Sequence, residues 1–589
     1  MAKARAKSVA IGRSAALDKP GLRLSLSTMR LRGLMALVLL AFVCLTAGAV
    51  YAHLLQPDQV RKTGIRATTT TISTKASRGK ILDRNGIVLA SSLPASSISV
   101  DPVAFKEAEN AEVAKFAKVL GYRVSAMRRK IAKGSRRYAN LARNVEMARV
   151  EKIRELNLPG LIVDPEFRRH YPEGPGAAHI VGITNREDKG QEGIELQNNN
   201  LLKGAEGSRR VSRDRRGRRI GAVSEVVAPV QGANVQLSID SRLQYQAFAA
   251  LQEAVAEHKA KRASVVVLDV VTGEVLAMAN WPSYEPNDRR SYDHKVMVNR
   301  AVVDRFEPGS VMKPFTVALA LELRKVTPLT LIDTGNGKLK IGPDTIGDAH
   351  PVGVVTVEQA IEKSSNVATA KIALDMKAEQ LWSFFSAVGI GQPPRIEFPG
   401  ATAGSLRPYR KWRPVEQATM AYGYGLSVSL LQLARAYMIF ARDGDLPEVT
   451  LWRSDERAPG RQIISSRTAR QVRKMVEMAA GPNGTARKSA VIGYRVAGKT
   501  GTSRKLVRGK YVKEYASTFV GMVPASAPRV IIASFIDEPR GSKYYAGDVA
   551  APLFSKVAGH ALRYMRVAPD SAVAEIDVPV EEVQKGKKR

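Results

Sequence analysis

Three short segments of this 589-residue chain carry side chains that could run nucleophilic chemistry. In Ser310-Val311-Met312-Lys313 a hydroxyl and an amine sit three residues apart, a spacing that shares one helix face, so Lys313 Nζ can reach Ser310 Oγ. The run from Pro314 to Leu323 reads as that helix. A serine hydroxyl is a weak nucleophile until a base takes its proton, and a lysine can do so only if burial or neighbouring cations lower its pKa. Ser364-Ser365-Asn366 follows the helix-like 357–362 and also fits a helix cap. Lys499-Thr500-Gly501-Thr502 brings a second amine with two hydroxyls. Ser77-Arg78-Gly79-Lys80 repeats the Ser-x-x-Lys pattern, but reads as part of an exposed turn.

One alternative chemistry fails on context. Gly493-Tyr494-Arg495-Val496-Ala497-Gly498-Lys499-Thr500 matches a phosphate loop, which must follow a buried strand and open a helix. Downstream of it lie Ser503 to Lys510, basic and turn-like, and then a strand. No H-E-x-x-H pattern occurs and the seven histidines are scattered. Cys44 is the single cysteine, which excludes intramolecular disulfides and Cys-rich metal modules. We expect no cofactor and no metal.

These segments need a scaffold. Residues 264–269 and 274–279, joined through Thr272-Gly273, read as a β-hairpin with a buried face, and 518–523 with 530–536 as another. The patterns between them are mostly helical. Strands at both ends of a domain with helices inserted predict an antiparallel sheet covered by helices, an α+β fold.

Upstream, residues 33–52 hold no charged side chain. As a helix they would rise about 30 Å, the thickness of a bilayer core. Eight bases precede them, which places the N-terminus in the cytoplasm and the remainder outside. Ala47-Gly48-Ala49 resembles a signal cleavage site, but the stretch exceeds a typical signal core of about 7–15 residues, so a retained transmembrane anchor is favoured.

The expected organisation is a basic tail (1–32), the span (33–52), a threonine-rich linker (53–75), an irregular mixed domain (76–231), a catalytic domain (232–566) and a loose tail (567–589). Helical spacing is expected near 102–134 and 146–157. The net charge of +36 is spread over every region. Its densest cluster, seven arginines between 209 and 219, lacks aromatic side chains for base stacking. It reads as an exposed hairpin facing anionic lipid or polymer, and no nucleic-acid partner is expected.

The order Ser-x-x-Lys, Ser-Ser-Asn, Lys-Thr-Gly, with Ser364 54 residues after Ser310 and Lys499 a further 135 on, resembles the motif set of penicillin-binding proteins and serine β-lactamases. Segments FEPGSVMK (306–313), KSSN (363–366), YGYGLSVSLLQLARAY (422–437) and AGKTGTS (497–503) are similar to class B penicillin-binding proteins. They look most like the septal, division-specific branch, of penicillin-binding protein 3 type. RGKILDRNG (78–86), YPEG (171–174) and GIE (193–195) resemble that family's non-catalytic pedestal.

The resemblance implies a peptidoglycan D,D-transpeptidase that cross-links stem peptides and is acylated by β-lactams. By it, Ser310 is the nucleophile, Lys313 the general base and Ser364 a proton relay. Asn366 would bind the donor amide, Lys499, Thr500 and Thr502 the terminal carboxylate. Amides of Ser310 and Thr502 would form the oxyanion hole, and Gly501 is expected with Thr500 and Thr502 among the substrate-binding residues. Expected partners are D-Ala-D-Ala stem peptides, an amine acceptor, the membrane and cell-division membrane proteins including a septal glycan polymerase. The expected location is the bacterial inner membrane, at the septum. An elongation-specific relative, a β-lactamase or sensor, and a silent scaffold are the alternatives.

Overall fold

The computed structural model describes residues 27–52, 69–135, 137–213 and 219–571. They fall into two units, one within residues 1–72 and 208–226, the other within 73–207 and 227–589. The first strands, in chain order, are β1 (Thr69–Thr74), β2 (Ile81–Leu82), β3 (Val88–Val100), β4 (Ala139–Glu146), β5 (Leu161–His170), β6 (Gly207–Arg213), β7 (Arg219–Val227) and β8 (Val235–Gln236).

In the first unit a helix of 23 residues, Thr28–Val50, has no buried side chain. It begins before the expected Gly33 and ends short of Ala52, so Arg30 and Arg32 lie in its opening turns. At 1.5 Å per residue it is about 34 Å long, enough to cross a hydrocarbon core. The same unit contains a three-stranded sheet in the order β1-β6-β7. Its first strand lies in the segment read as linker, where a run of threonines conceals it from any apolar pattern. Residues 214–218, the tip of the arginine-rich hairpin, lie outside the described residues.

The second unit opens with an N-terminal lobe built on β3. This long strand pairs antiparallel with β2, β4 and β5, and β2 pairs parallel with β8. Helices Asn110–Leu120, Val124–Ala132 and Met147–Arg154 close over it through Phe116, Met127, Val150 and Ile153, packed on Ile98, Val100 and Leu141. The turn in RGKILDRNG is held by Asp83. Its carboxylate accepts the amides of Asn85 and Ile87 at 2.7 and 2.8 Å, and the Ser241 hydroxyl at 2.9 Å. Ser241 starts the helix Ser241–His258, so the motif also docks this lobe onto the next.

Arg78 and the GIE segment meet in the same lobe. Glu195 takes Arg78 Nε at 2.5 Å and Arg169 Nε at 2.6 Å, and the three side chains are 0%, 3% and 0% exposed for Arg78, Arg169 and Glu195. Removing one partner of an enclosed ion pair strands the others without counter-charge. Glu195→Ala is therefore expected to lower stability in urea unfolding by about 3–5 kcal/mol. The exposed Lys115–Glu112 pair gives the contrast, since Lys115→Ala should change it by less than about 1 kcal/mol.

The C-terminal lobe carries the expected α+β arrangement. Strands β9 (Arg262–Asp269) and β10 (Val275–Trp281) form the first hairpin. Short β11 (Leu331–Asp333) and β14 (Val354–Thr356) pair around the hairpin of β12 (Lys338–Ile341) and β13 (Asp344–Gly347), and β15 (Asp445–Pro447) pairs with β16 (Gly460–Gln462). Strands β17 (Ala497–Val507), β18 (Lys510–Val523) and β19 (Val530–Asp537) complete an antiparallel sheet in the order β10-β9-β19-β18-β17.

Both faces of that sheet are buried, which is more than the single buried face expected. Val265, Val267, Ile532 and Ile536 pack with Leu251, Phe554 and Val557 of the helices Ser241–His258 and Ala546–Tyr564. Val266, Leu268, Ile531 and Ala533 face Val311, Phe315, Tyr437 and Met475 on the other side. Side chains alternate across a strand, so a run apolar at every position is what two covered faces require. Two segments depart from the expectations. Ser503 to Val507, read as turn-like, continues β17, and the chain turns only at Arg508-Gly509. Val567 to Asp570, read as tail, is tied down: Tyr494 donates to the Val567 carbonyl at 2.6 Å and Asp570 accepts from Arg495 N and Ser526 Oγ at 2.7 and 2.6 Å.

Candidate active site

Ser310 lies in a 3-10 turn, Gly309–Met312, that runs directly into the helix Lys313–Glu322. Pro314 suits the first turn of that helix, where no intrahelical acceptor awaits its missing N–H. Every side chain from Lys313 to Leu321 is buried. Tyr437 Oη donates to the Val311 carbonyl and Thr316 Oγ1 to that of Ala421, both at 2.7 Å, pinning the turn from outside. Two glycines let backbone approach it. A Cβ on Gly423, at φ +88°, would lie 2.2 Å from the Gly309 carbonyl oxygen, and one on Gly501 would lie 2.4 Å from that of Pro308. Gly501 thus brings β17 against the Ser310 turn.

The middle segment sits at a junction of two helices, Val357–Glu362 and Asn366–Leu374. Ser364 takes a left-handed conformation, φ +61°. Ser365 caps the second helix, its hydroxyl accepting the Ala368 amide at 3.0 Å. The helix-cap reading therefore holds for Ser365, while Ser364 turns toward the lysines.

Lys313 Nζ donates to the Ser364 carbonyl at 2.5 Å and to its hydroxyl at 3.2 Å. Lys499 Nζ donates to the same hydroxyl at 2.8 Å and lies 3.3 Å from the Thr500 carbonyl. Both amines are fully buried, and among the described residues neither forms an ion pair with a carboxylate. Burial pushes Lys313 well below the usual lysine range, the Lys499 charge pushes it further, and Asp348 opposes both. Burial alone brings Lys499 down to about 7. An enclosed ammonium without a counter-ion favours its neutral form, the form that can accept a proton.

The hydroxyl of Ser310 has no hydrogen-bond partner among the described residues, so the bonds of Lys313 run to Ser364 rather than directly to Ser310 as the spacing alone suggested. Ser310, Ser364, Asn366, Thr500 and Thr502 all line one cleft of about 520 Å³, and Lys313, Lys499 and Gly501 are enclosed behind them. Thr500 Oγ1 shares a hydrogen bond with Thr485 Oγ1 at 2.7 Å, and Thr502 Oγ1 accepts the Ala546 amide at 3.0 Å. Cations Lys363, Arg487 and Lys488 stand at the cleft, with Asp348 and Asp548 as its acids, and among the described lining residues there is no glutamate.

Asp348, delivered just after β13, carries no motif signal. Its carboxylate accepts from Ser365 Oγ at 2.8 Å and from the amides of Asn366 and Val367 at 2.5 and 2.9 Å, while Asn366 Nδ2 donates to the Gly347 carbonyl at 2.8 Å. A carboxylate at a helix N-terminus satisfies orphan amides. Asp348→Ala is expected to cost about 1–2 kcal/mol in thermal unfolding and to slow acylation by labelled penicillin about tenfold. Thr485 and Tyr545 are further lining residues without a sequence signal, and Tyr424 lines the cleft from the 422–437 segment.

The phosphate-loop reading ends here. Lys499 and Thr500 lie within β17, opposite Val520 and Phe519 of β18, and no helix opens after them. The other Ser-x-x-Lys copy is not the exposed turn expected: Arg78 and Gly79 are buried and only Lys80 is exposed, in the arm leading into β2, where the Gly79 amide bonds the Leu202 carbonyl.

Residues 263–559 match the penicillin binding protein transpeptidase domain, and residues 73–237 the penicillin-binding protein dimerisation domain. The probable peptidoglycan D,D-transpeptidase PenA of Neisseria gonorrhoeae is 39% identical over 91% of this chain and 92% of its own. Peptidoglycan D,D-transpeptidase FtsI of Escherichia coli K12 is 36% identical over 91% of each. The transpeptidase domain of Burkholderia pseudomallei penicillin-binding protein 3 superposes with a TM-score of 0.53 and 46% identity, over 57% of this chain and 98% of that one. A Bifidobacterium adolescentis peptidoglycan synthetase gives 0.67 and 26%, over 86% and 98%. With two full-length relatives above one-third identity and both characteristic domains in order, the chain belongs to the class B penicillin-binding proteins.

Proposed function

We propose that the chain is a membrane-anchored peptidoglycan D,D-transpeptidase working through a Ser310 acyl-enzyme. The observation that carries this is the meeting of two buried, unpaired amines on the Ser364 hydroxyl beside Ser310. Ser310 Oγ attacks the penultimate D-Ala carbonyl and its proton passes to neutral Lys313. The peptide C–N bond breaks, Ser364 relays a proton to the departing D-Ala amine, and an ester remains. An acceptor amine then displaces Ser310, which regains its proton. Thr500, Thr502 and Lys499 suit the terminal carboxylate, and Asn366 suits the donor amide. Amides of Ser310 and Thr502 stabilise the oxyanion.

A hydrolase would need a base to activate water on the ester. The cleft acids are already occupied, Asp348 by the helix amides and Asp548 by Lys488 at 2.7 Å, which favours transfer to an amine. The basic flank of the span supports a catalytic lobe on the outer side of the membrane. The likeness of residues 422–437 to the division-specific branch supports a septal role with a glycan polymerase and other division proteins as partners. Depletion should then give filaments, whereas loss of rod shape would assign an elongation role. The chemistry is tested by labelling the full chain with a fluorescent penicillin and mapping the adduct. The expected adduct is on the peptide containing Ser310, and an adduct elsewhere overturns the proposal.

A further inference from the structure

A second cavity, of about 680 Å³, lies between the N-terminal lobe and residues 286–292 of the C-terminal lobe. That volume suits a small ligand. Six cationic side chains line it, Lys130, Arg143, Arg168, Arg169, Arg186 and Arg289, against one acid, Asp188. Three of the six have carboxylate partners: Arg143 pairs with Glu166 at 2.9 Å, Arg168 with Glu146 at 2.8 Å and Arg169 with Glu195 at 2.6 Å.

The other three have none among the described residues. Lys130 donates to the Tyr122 hydroxyl and the Leu141 carbonyl, at 2.8 and 2.5 Å. Arg289 donates to the carbonyls of Thr184 and Asn185 at 3.1 and 2.9 Å. Arg186 is exposed and forms no hydrogen bond or ion pair with any described residue. The wall holds one further unmade donor. Arg169 is 3% exposed, yet its Nη2 is enclosed without an acceptor, an arrangement that ordinarily costs about 1–3 kcal/mol.

At the joint itself the Asn287 side-chain amide is bonded to the Tyr171 backbone. Asn287 accepts the Tyr171 amide at 3.0 Å and donates to its carbonyl at 2.9 Å. Positive charge is thus concentrated in a preformed hollow between the lobes, in excess of what the fold uses. Guanidinium forks bind carboxylate and phosphate in two-point fashion.

We propose that this cavity is a binding site for a small ligand bearing carboxylate or phosphate groups, held between the lobes by Arg186 and Arg289. The inference does not depend on the transpeptidase reading.

The test uses the full chain in detergent at low salt, titrated by calorimetry with inorganic phosphate and, separately, with a tri-glutamate peptide. Saturable binding of at least one probe is expected, weakened about tenfold or more by Arg186→Gln and further by adding Arg289→Gln. Tighter binding of tri-glutamate would assign a carboxylate peptide, tighter binding of phosphate a phosphate-bearing ligand. Arg305→Gln, at an exposed cation outside the cavity, should leave binding unchanged. Unaltered labelling by penicillin would show that Arg186→Gln is folded. Absence of saturation with both probes, or equal weakening by Arg305→Gln, overturns the proposal.

Discussion

Replacing Ser310 by alanine is expected to remove labelling by fluorescent penicillin and cross-linking of stem peptides, with a loss of at least about 10⁴-fold. The variant should nevertheless fold. Ser310 is half-exposed at the cleft and its hydroxyl bonds no described residue, so truncation leaves no buried group unsatisfied. The turn it occupies is held by other groups, the Gly309 amide on the Gly423 carbonyl and Tyr437 Oη on the Val311 carbonyl. Thermal unfolding should therefore stay within about 0.5 kcal/mol of the parent. Ser364→Ala tests the neighbouring role. That hydroxyl accepts from both amines, so its loss should slow acylation by about 10²-fold or more, as for a proton-transfer group. If Ser310→Ala retained labelling, the nucleophile would lie elsewhere. If it lost labelling together with its cooperative unfolding transition, the loss would report structure rather than chemistry.

Much of this was legible in order and spacing because each motif carries its own reason. Gly501 is needed where a strand touches the Pro308 carbonyl, and the apolar runs of β9 and β19 signal a sheet covered twice. Asp348, Thr485 and the Ala546 amide were not legible. They reach the cleft from separate loops, and a carboxylate that caps a helix distant in sequence leaves no local pattern. The outer part of β17 was hidden for a different reason. From Arg504 onward it leaves the covered region, so exposed and basic side chains mask the strand. The i to i+3 argument put Lys313 within reach of Ser310 but could not foresee that Ser364, in a left-handed conformation, would take its hydrogen bonds.

Neutralising Lys499 is expected to move the pH dependence of acylation, and the direction follows from what surrounds Lys313. With Lys313 as the proposed base, acylation requires its neutral form, so the rate should rise with pH as that amine loses its proton. Burial places this rise well below the usual lysine range, and the Lys499 charge lowers it further. In Lys499→Gln the second contribution disappears, Lys313 holds its proton to higher pH, and the rise moves in the alkaline direction. Near pH 6.5 the variant should be slower by about tenfold or more, with the gap narrowing as pH increases. Lys499→Arg keeps the charge and should keep the rise near its parental position, whatever it does to the maximal rate. Loss of carboxylate binding alone would lower the rate equally at every pH, so an unshifted profile in Lys499→Gln would remove Lys499 from control of the base. Stability supplies the opposite sign. A buried lysine with a lowered pKa binds a proton less readily folded than unfolded, so stability rises with pH between about 7 and the ordinary lysine value for Lys499. Below about 7 the enclosed charge opposes folding in full, by an amount on the order of a few kcal/mol. Lys499→Gln should consequently melt higher than the parent at pH 6, and the difference should shrink toward pH 10. A protein that gains stability while its acylation becomes alkaline-shifted would show that the two amines are kept together for chemistry, against the preference of the fold.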